Sequence, residues 1–126
     1  MLLGVCLGTN DLHNAGLFYD KLLSTLGMVR TMEVDGEIGY GTSDGQSCFW
    51  ILTPFDNQPA SNGNGTQITF KAASNDMVEA FYHAALKHGA TDEGSPGYRY
   101  RPRYFGAYCR DLDGNKLHVM YEAEYD

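Results

Sequence analysis

A pattern laid down in the first fifty residues returns in the second half of the chain. Duplication of this kind restricts a chain to folds assembled from two copies of one unit. Phe18-Tyr19 recurs 63 residues on as Phe81-Tyr82, and Leu23 recurs at the same offset as Leu86. Asp11 falls on Ser74, both being residues that cap a helix N-terminus. Gly4 falls on Gln67, Val5 on Ile68 and Leu7 on Phe70. The Asp44-Gly45 pair recurs as Asp113-Gly114, now 69 residues on, which places His118 on Phe49. The six extra residues fit most simply into a loop at 94–102.

Each copy spells the same order of elements. Residues 2–8 alternate weakly and predict a strand. Asn10 or Asp11 then caps a helix over about 14–26, with Leu17, Phe18, Leu22, Leu23 and Leu26 as its apolar stripe. Gly27 supplies the left-handed residue that ends it. Strands follow at about 28–34, 37–43 and 46–53. Residues 54–65, PFDNQPASNGNG, are too rich in Pro, Asn and Gly to pack a core and form a linker. A strand at 66–72, a helix from Ser74 to Gly89, a short strand near 90–93 and a closing hairpin repeat the unit. The expected organisation is one domain, with a first module at 1–53, a linker at 54–65 and a second module at 66–126. The fold class is α+β: two tandem β-α-β-β-β modules whose sheets curl about a cup, one helix outside each.

Charge and cysteine usage narrow the partners. The chain carries a net −7, which disfavours nucleic acid and anionic membrane surfaces. No apolar run approaches the ~20 residues that cross a bilayer. Cys6, Cys48 and Cys109 are an odd number with no Cys-x-x-Cys pair, which predicts three reduced, buried thiols in a cytoplasmic protein.

The hairpin AYCRDLDGNKLHVMYE, residues 107–122, carries the candidate chemistry. Its second strand places Leu117, Val119 and Tyr121 on one face and Lys116, His118, Met120 and Glu122 on the other. His118 is the candidate catalytic residue, as a general base or a metal anchor. A structural imidazole bonded to a neighbouring strand is the alternative. Arg99, Arg101 and Arg103 alternate with Tyr98, Tyr100 and Tyr104. Guanidinium and aromatic groups together suit a flat or anionic ligand, or else neutralise nearby carboxylates and meet a second subunit. The cup is expected to be lined by Cys6, Phe49, Gln67, Thr69, His118 and Met120, with Tyr104 and Tyr108 at its edge and Arg101 nearby. Leu7, Leu23, Trp50, Phe70, Phe81, Leu86 and Val119 are expected in the core.

The stretches NDLHNAGLFYDKLLSTLG, AFYHAALKHGATDEGSPGYR and AYCRDLDGNKLHV resemble the vicinal oxygen chelate superfamily. That superfamily includes glyoxalase I, the bleomycin- and fosfomycin-resistance proteins and the extradiol dioxygenases. The last two stretches look most like small bacterial glyoxalase-like proteins. The resemblance implies a homodimer, and one of two functions. One is a lyase or dioxygenase-like enzyme acting on a small carbonyl compound through a divalent metal. The other is a metal-free protein that binds a small molecule, as resistance proteins do. Metal-using members place ligands at four inward positions, which here hold Gly4, Phe49, Gln67 and His118. Only Gln67 and His118 can ligate, so a metal would need Glu122, water or a partner subunit to complete its shell.

Overall fold

A computed structural model describes residues 1–124 of the chain. It contains two four-stranded sheets and two helices. The first sheet comprises β1 (Val5–Gly8), β2 (Val29–Val34), β3 (Glu37–Gly41) and β4 (Ser47–Leu52), in the order β1-β4-β3-β2. The second comprises β5 (Ile68–Lys71), β6 (Thr91–Tyr98), β7 (Tyr104–Arg110) and β8 (Lys116–Glu122), in the order β5-β8-β7-β6. In both, the first and last strands run parallel and the others antiparallel. The α+β class and the doubled β-α-β-β-β order are as the sequence indicates. The two sheets do not close into a single wall.

Local chemistry sets the helix limits. Helix α1 (Leu12–Ser24) starts two residues earlier than the periodicity suggests, because Asp11 accepts from the Asn14 amide at 3.1 Å. Helix α2 (Asn75–Lys87) starts where Ser74 accepts from the Met77 amide, also at 3.1 Å. Gly27 and Gly89 follow the two helices with φ of +77° and +107°, values that a side chain disfavours. Leu17 lies on the outer side of α1 and is exposed rather than part of the apolar stripe.

Residues 94–98, expected to be loop, extend β6 instead. Gly94 and Pro96 signal a break only in a strand paired on both sides. Here β6 is an edge strand with register shifts between Asp92 and Gly97, where a residue lacking an N–H is tolerated. The irregular segment shrinks to 99–103.

The helices pack on each other and on the inner faces of both sheets. Tyr19, Tyr40, Phe49, Phe70 and Phe81 form a continuous run of ring contacts through this core, with Phe49 and Phe70 bridging the modules at 5.5 Å. Leu7, Leu23, Phe70, Phe81 and Val119 are buried as expected, and Leu86 is partly buried.

Phe49 and Trp50 exchange their expected places. Phe49 is core, at 1 % exposure, and Trp50 is half-buried on the opposite, open face. The pairing explains the exchange. Val5 lies beside Phe49 and Ile68 beside Leu117, so the true offset at these strands is 68, and His118 corresponds to Trp50. The turns are offset by 69 because β4 carries one additional residue. Tyr40 pairs with Phe49 while Gly41 pairs with Ser47, leaving Cys48 in a bulge. A slip of one residue sends a strand's side chains to the other face. Phe49→Ala should therefore cost about 3–5 kcal/mol in urea unfolding, and Trp50→Ala under about 2. Equal or reversed costs would contradict this register.

Candidate functional site

The open face of the second sheet is built around His118. It lies beside Thr69 on one side and Tyr108 on the other, and only 2 % of its surface is exposed. Its ring stacks on Tyr108 at 4.0 Å between centroids and 14° between planes, and on Tyr104 at 5.9 Å and 12°. Gly106 makes the stack possible: a Cβ there would stand 2.7 Å from the imidazole Cε1.

Both imidazole nitrogens are engaged. Nδ1 lies 2.8 Å from the Ala107 carbonyl oxygen, which can only accept, so Nδ1 carries the proton. Nε2 then accepts from the Tyr104 hydroxyl at 2.7 Å. Burial holds the His118 pKa below the usual histidine value. The Ala107 bond opposes that shift, and the nearby Arg99 and Lys116 cations add to it. The ring is therefore kept neutral, which suits an acceptor for Tyr104.

Cations flank the stack. The Arg101 guanidinium lies 5.1 Å from the Tyr104 ring centroid, and Arg99 and Lys116 lie 5.4 and 5.0 Å from that of Tyr108. Arg99 also donates to the carbonyls of Gly106 and Ser95. The Tyr100 and Tyr108 hydroxyls are hydrogen-bonded to each other. Burial and the neighbouring Tyr100 push the Tyr108 pKa up to about 12.

The remaining candidate residues scatter over three places. Gln67 and Thr69 share the face of His118, but Gln67 is exposed and donates its amide to Thr69 at 3.1 Å. Glu122 is tied to Arg101 by contacts of 2.7 and 2.9 Å, and this pairing lowers its pKa. Met120, Arg101 and Glu122 line one hollow with Lys71. Cys6 lies on the open face of the first sheet, beside Trp50. Cys6 and Cys48 are exposed, contrary to the expectation of three buried thiols; only Cys109 is buried. Phe49, expected to line the cup, lies on the opposite face from Trp50 and is buried in the core, and it also lines the seam cleft described next.

A further cleft, of about 400 Å³, runs along the seam between β1 and β5. Its walls are mostly apolar, with Leu2, Leu3 and Ile68 among them, and Gln67, Thr69 and Lys71 supply its polar groups. The sequence reading missed Leu2, Leu3 and Lys71. Their signal was weak: they flank short strands and belong to no motif. Leu2 and Leu3 are largely exposed, at 81 % and 86 %.

The side chains at the superfamily's metal positions do not fit a divalent ion. Gly4 offers no donor, and a Cβ there would stand 2.2 Å from the Trp50 ring, so the indole occupies that corner. Trp50, which the register makes the counterpart of His118, offers no lone pair, and Phe49 faces the core. His118 has its lone pair committed to Tyr104, and Gln67 is a neutral amide. Among the described residues, no three His, Cys, Asp or Glu side chains gather into a metal-binding group. Two neutral donors fall short of the three protein ligands usual for catalytic zinc.

Among solved structures, a glyoxalase/bleomycin resistance protein from Albidiferax ferrireducens T118 is 36 % identical, with a TM-score of 0.87, covering 96 % of this chain and 98 % of its own. A glyoxalase/bleomycin resistance protein/dioxygenase family enzyme from Burkholderia phytofirmans PsJN shares the fold at 18 % identity and a TM-score of 0.75, covering 97 % and 98 %. Lactoylglutathione lyase from Agrobacterium tumefaciens shares it at 18 % and 0.65, covering 96 % and 92 %. No protein-family model and no curated protein sequence matches the chain. The identity to the Albidiferax protein over almost the full length of both chains, on the same doubled fold, makes this chain a member of the glyoxalase/bleomycin resistance protein family.

Proposed function

We propose that the protein is a metal-independent binder of a flat, largely apolar small molecule bearing a negative charge. The observation that carries this reading is the seam cleft. Its volume and apolar lining suit a small organic ligand, and the Gln67 amide, Thr69 hydroxyl and Lys71 ammonium are placed to orient one. Trp50 packs against Gly4, which lines the cleft, so a ring bound there would lie close enough to alter its fluorescence. The alternative, a lyase or dioxygenase acting through a divalent ion, draws no support from the donor set. We derive no catalytic step for it.

A suitable probe is 8-anilinonaphthalene-1-sulfonate, which is flat, aromatic and anionic. It should bind saturably at one site per chain and accept energy from Trp50, the only tryptophan. Lys71→Met should weaken binding about fivefold, the value of one exposed charge contact of about 1 kcal/mol. Excess chelator should leave binding unchanged. Absence of saturable binding, or its loss on chelation, would overturn the reading.

The same reading includes a homodimer in a reducing, cytoplasmic setting. Met1, Leu2, Leu3 and Val34 expose apolar surface, and β2 and β6 are uncovered sheet edges that a second copy would protect. The free thiols Cys6 and Cys48 suit a reducing compartment. Sedimentation equilibrium should return twice the chain mass of 14.0 kDa. A single-chain mass at micromolar concentration would contradict the dimer.

A further inference from the structure

A second cavity, of about 480 Å³, shares Gln67 with the seam cleft. Residues 62–67, running from the end of the linker to the start of β5, form one wall, and Arg110 and Lys116 from the closing hairpin form the other. Its chemistry differs from that of the cleft: apart from two glycines, every lining side chain is polar or cationic. Among the described residues, no acidic side chain lines it. In a chain of net charge −7, two cations facing one hollow without a carboxylate run against the overall balance.

The two cations are only partly satisfied. Arg110 donates through Nε to Glu93 at 2.6 Å and through Nη1 to the Gly114 carbonyl at 2.9 Å. Among the described residues, its Nη2 has no hydrogen-bond acceptor. Glu93 thus answers the Arg110 charge. Lys116 has no carboxylate within 4.0 Å among the described residues; its ammonium lies over the Tyr108 ring. One uncompensated positive charge therefore remains at this wall.

The opposite wall offers donors and is held in place. Asn62 donates its amide to the Gly114 carbonyl at 2.7 Å, pinning the linker to the hairpin turn. A tight turn follows, in which the Thr66 amide donates to the Gly63 carbonyl at 3.3 Å. A Cβ at residue 63 would stand 2.2 Å from the Thr66 hydroxyl oxygen, so glycine there lets the Thr66 side chain pack against the turn. Among the described residues, the amides of Gly63, Asn64 and Gly65 have no backbone acceptor. Successive free amides beside a cation are the elements from which proteins assemble anion sites.

We propose that this cavity binds a small oxyanion, a phosphoryl or carboxylate group, between Lys116 and the free edge of Arg110 on one side and the Gly63–Gly65 turn on the other. The site shares only Gln67 with the seam cleft. It stands or falls independently of the function proposed for that cleft.

The test is an amide ¹H–¹⁵N titration of the full chain with inorganic phosphate, and in parallel with acetate, at constant ionic strength. Phosphate or acetate should shift Gly63, Asn64 and Gly65 saturably, and the tighter of the two identifies the group. Lys116→Met should weaken binding about tenfold, the value of one charge-assisted contact. Asn64→Asp, which leaves the hairpin untouched, should abolish it by like-charge repulsion. A folded spectrum outside the cavity validates each variant. If neither anion gives a saturable shift, or if the shifts are unaffected by both substitutions, the proposal is wrong.

Discussion

The buried carboxylate of Asp111 joins the two modules, and the placement of the site depends on it. Its Oδ2 accepts the Tyr19 hydroxyl of α1 at 2.5 Å and the Asn115 side-chain amide at 3.0 Å. Its Oδ1 accepts the backbone amides of Asp113 and Asn115, each at 2.9 Å. Asn115 then reaches the Gly8 carbonyl at the end of β1. A carboxylate at 5 % exposure is costly unless its lone pairs are filled, and here four donors fill them. Through that one residue the closing hairpin of the second module is fixed against the first strand and helix of the first. β1, which that attachment anchors at Gly8, forms one side of the seam cleft.

The same hairpin also sets the surroundings of His118. The His118 imidazole remains at its strand position but has been absorbed into a Tyr104–His118–Tyr108 stack, made possible by Gly106. Two good hydrogen bonds and two ring contacts close it. Opposite, Trp50 fills the corner at Gly4. Aromatic surface thus occupies both of these places, and the polar character of the seam lies in Gln67, Thr69 and Lys71. A fold supports many chemistries, so function has to be argued from such positions.

Much of the architecture was legible in the sequence. The caps at Asp11 and Ser74, the glycines at 27 and 89, and the recurrence of Phe-Tyr pairs specify the two helices and their order. Two failures have local causes. The Cys48 bulge is invisible to an offset counted from the turns, and a single added residue exchanged the roles of Phe49 and Trp50. The Gly and Pro of residues 94–97 resemble loop until the strand is known to lie at a sheet edge. The site was less legible than the fold. Alternation correctly placed His118 with Met120 and Glu122 on one face, but side-chain direction says nothing of partners. That Tyr104 and the Ala107 carbonyl would close the imidazole, or that Glu122 would be taken by Arg101, depends on contacts across strands. Leu2, Leu3 and Lys71 gain meaning only when β1 and β5 are brought side by side.

The two hydrogen bonds of His118 hold its imidazole neutral and leave Nε2 no lone pair for a metal. Long-range ¹H–¹⁵N spectra of the histidine rings test this most directly, recorded as pH is lowered through 6.5, with and without zinc. The expected result is the Nδ1–H tautomer for His118, persistence of the neutral ring below the ordinary histidine pKa of about 6.5, and resonances indifferent to zinc. An Nε2–H tautomer, protonation at or above 6.5, or a stoichiometric zinc-induced change at Nε2 would contradict it.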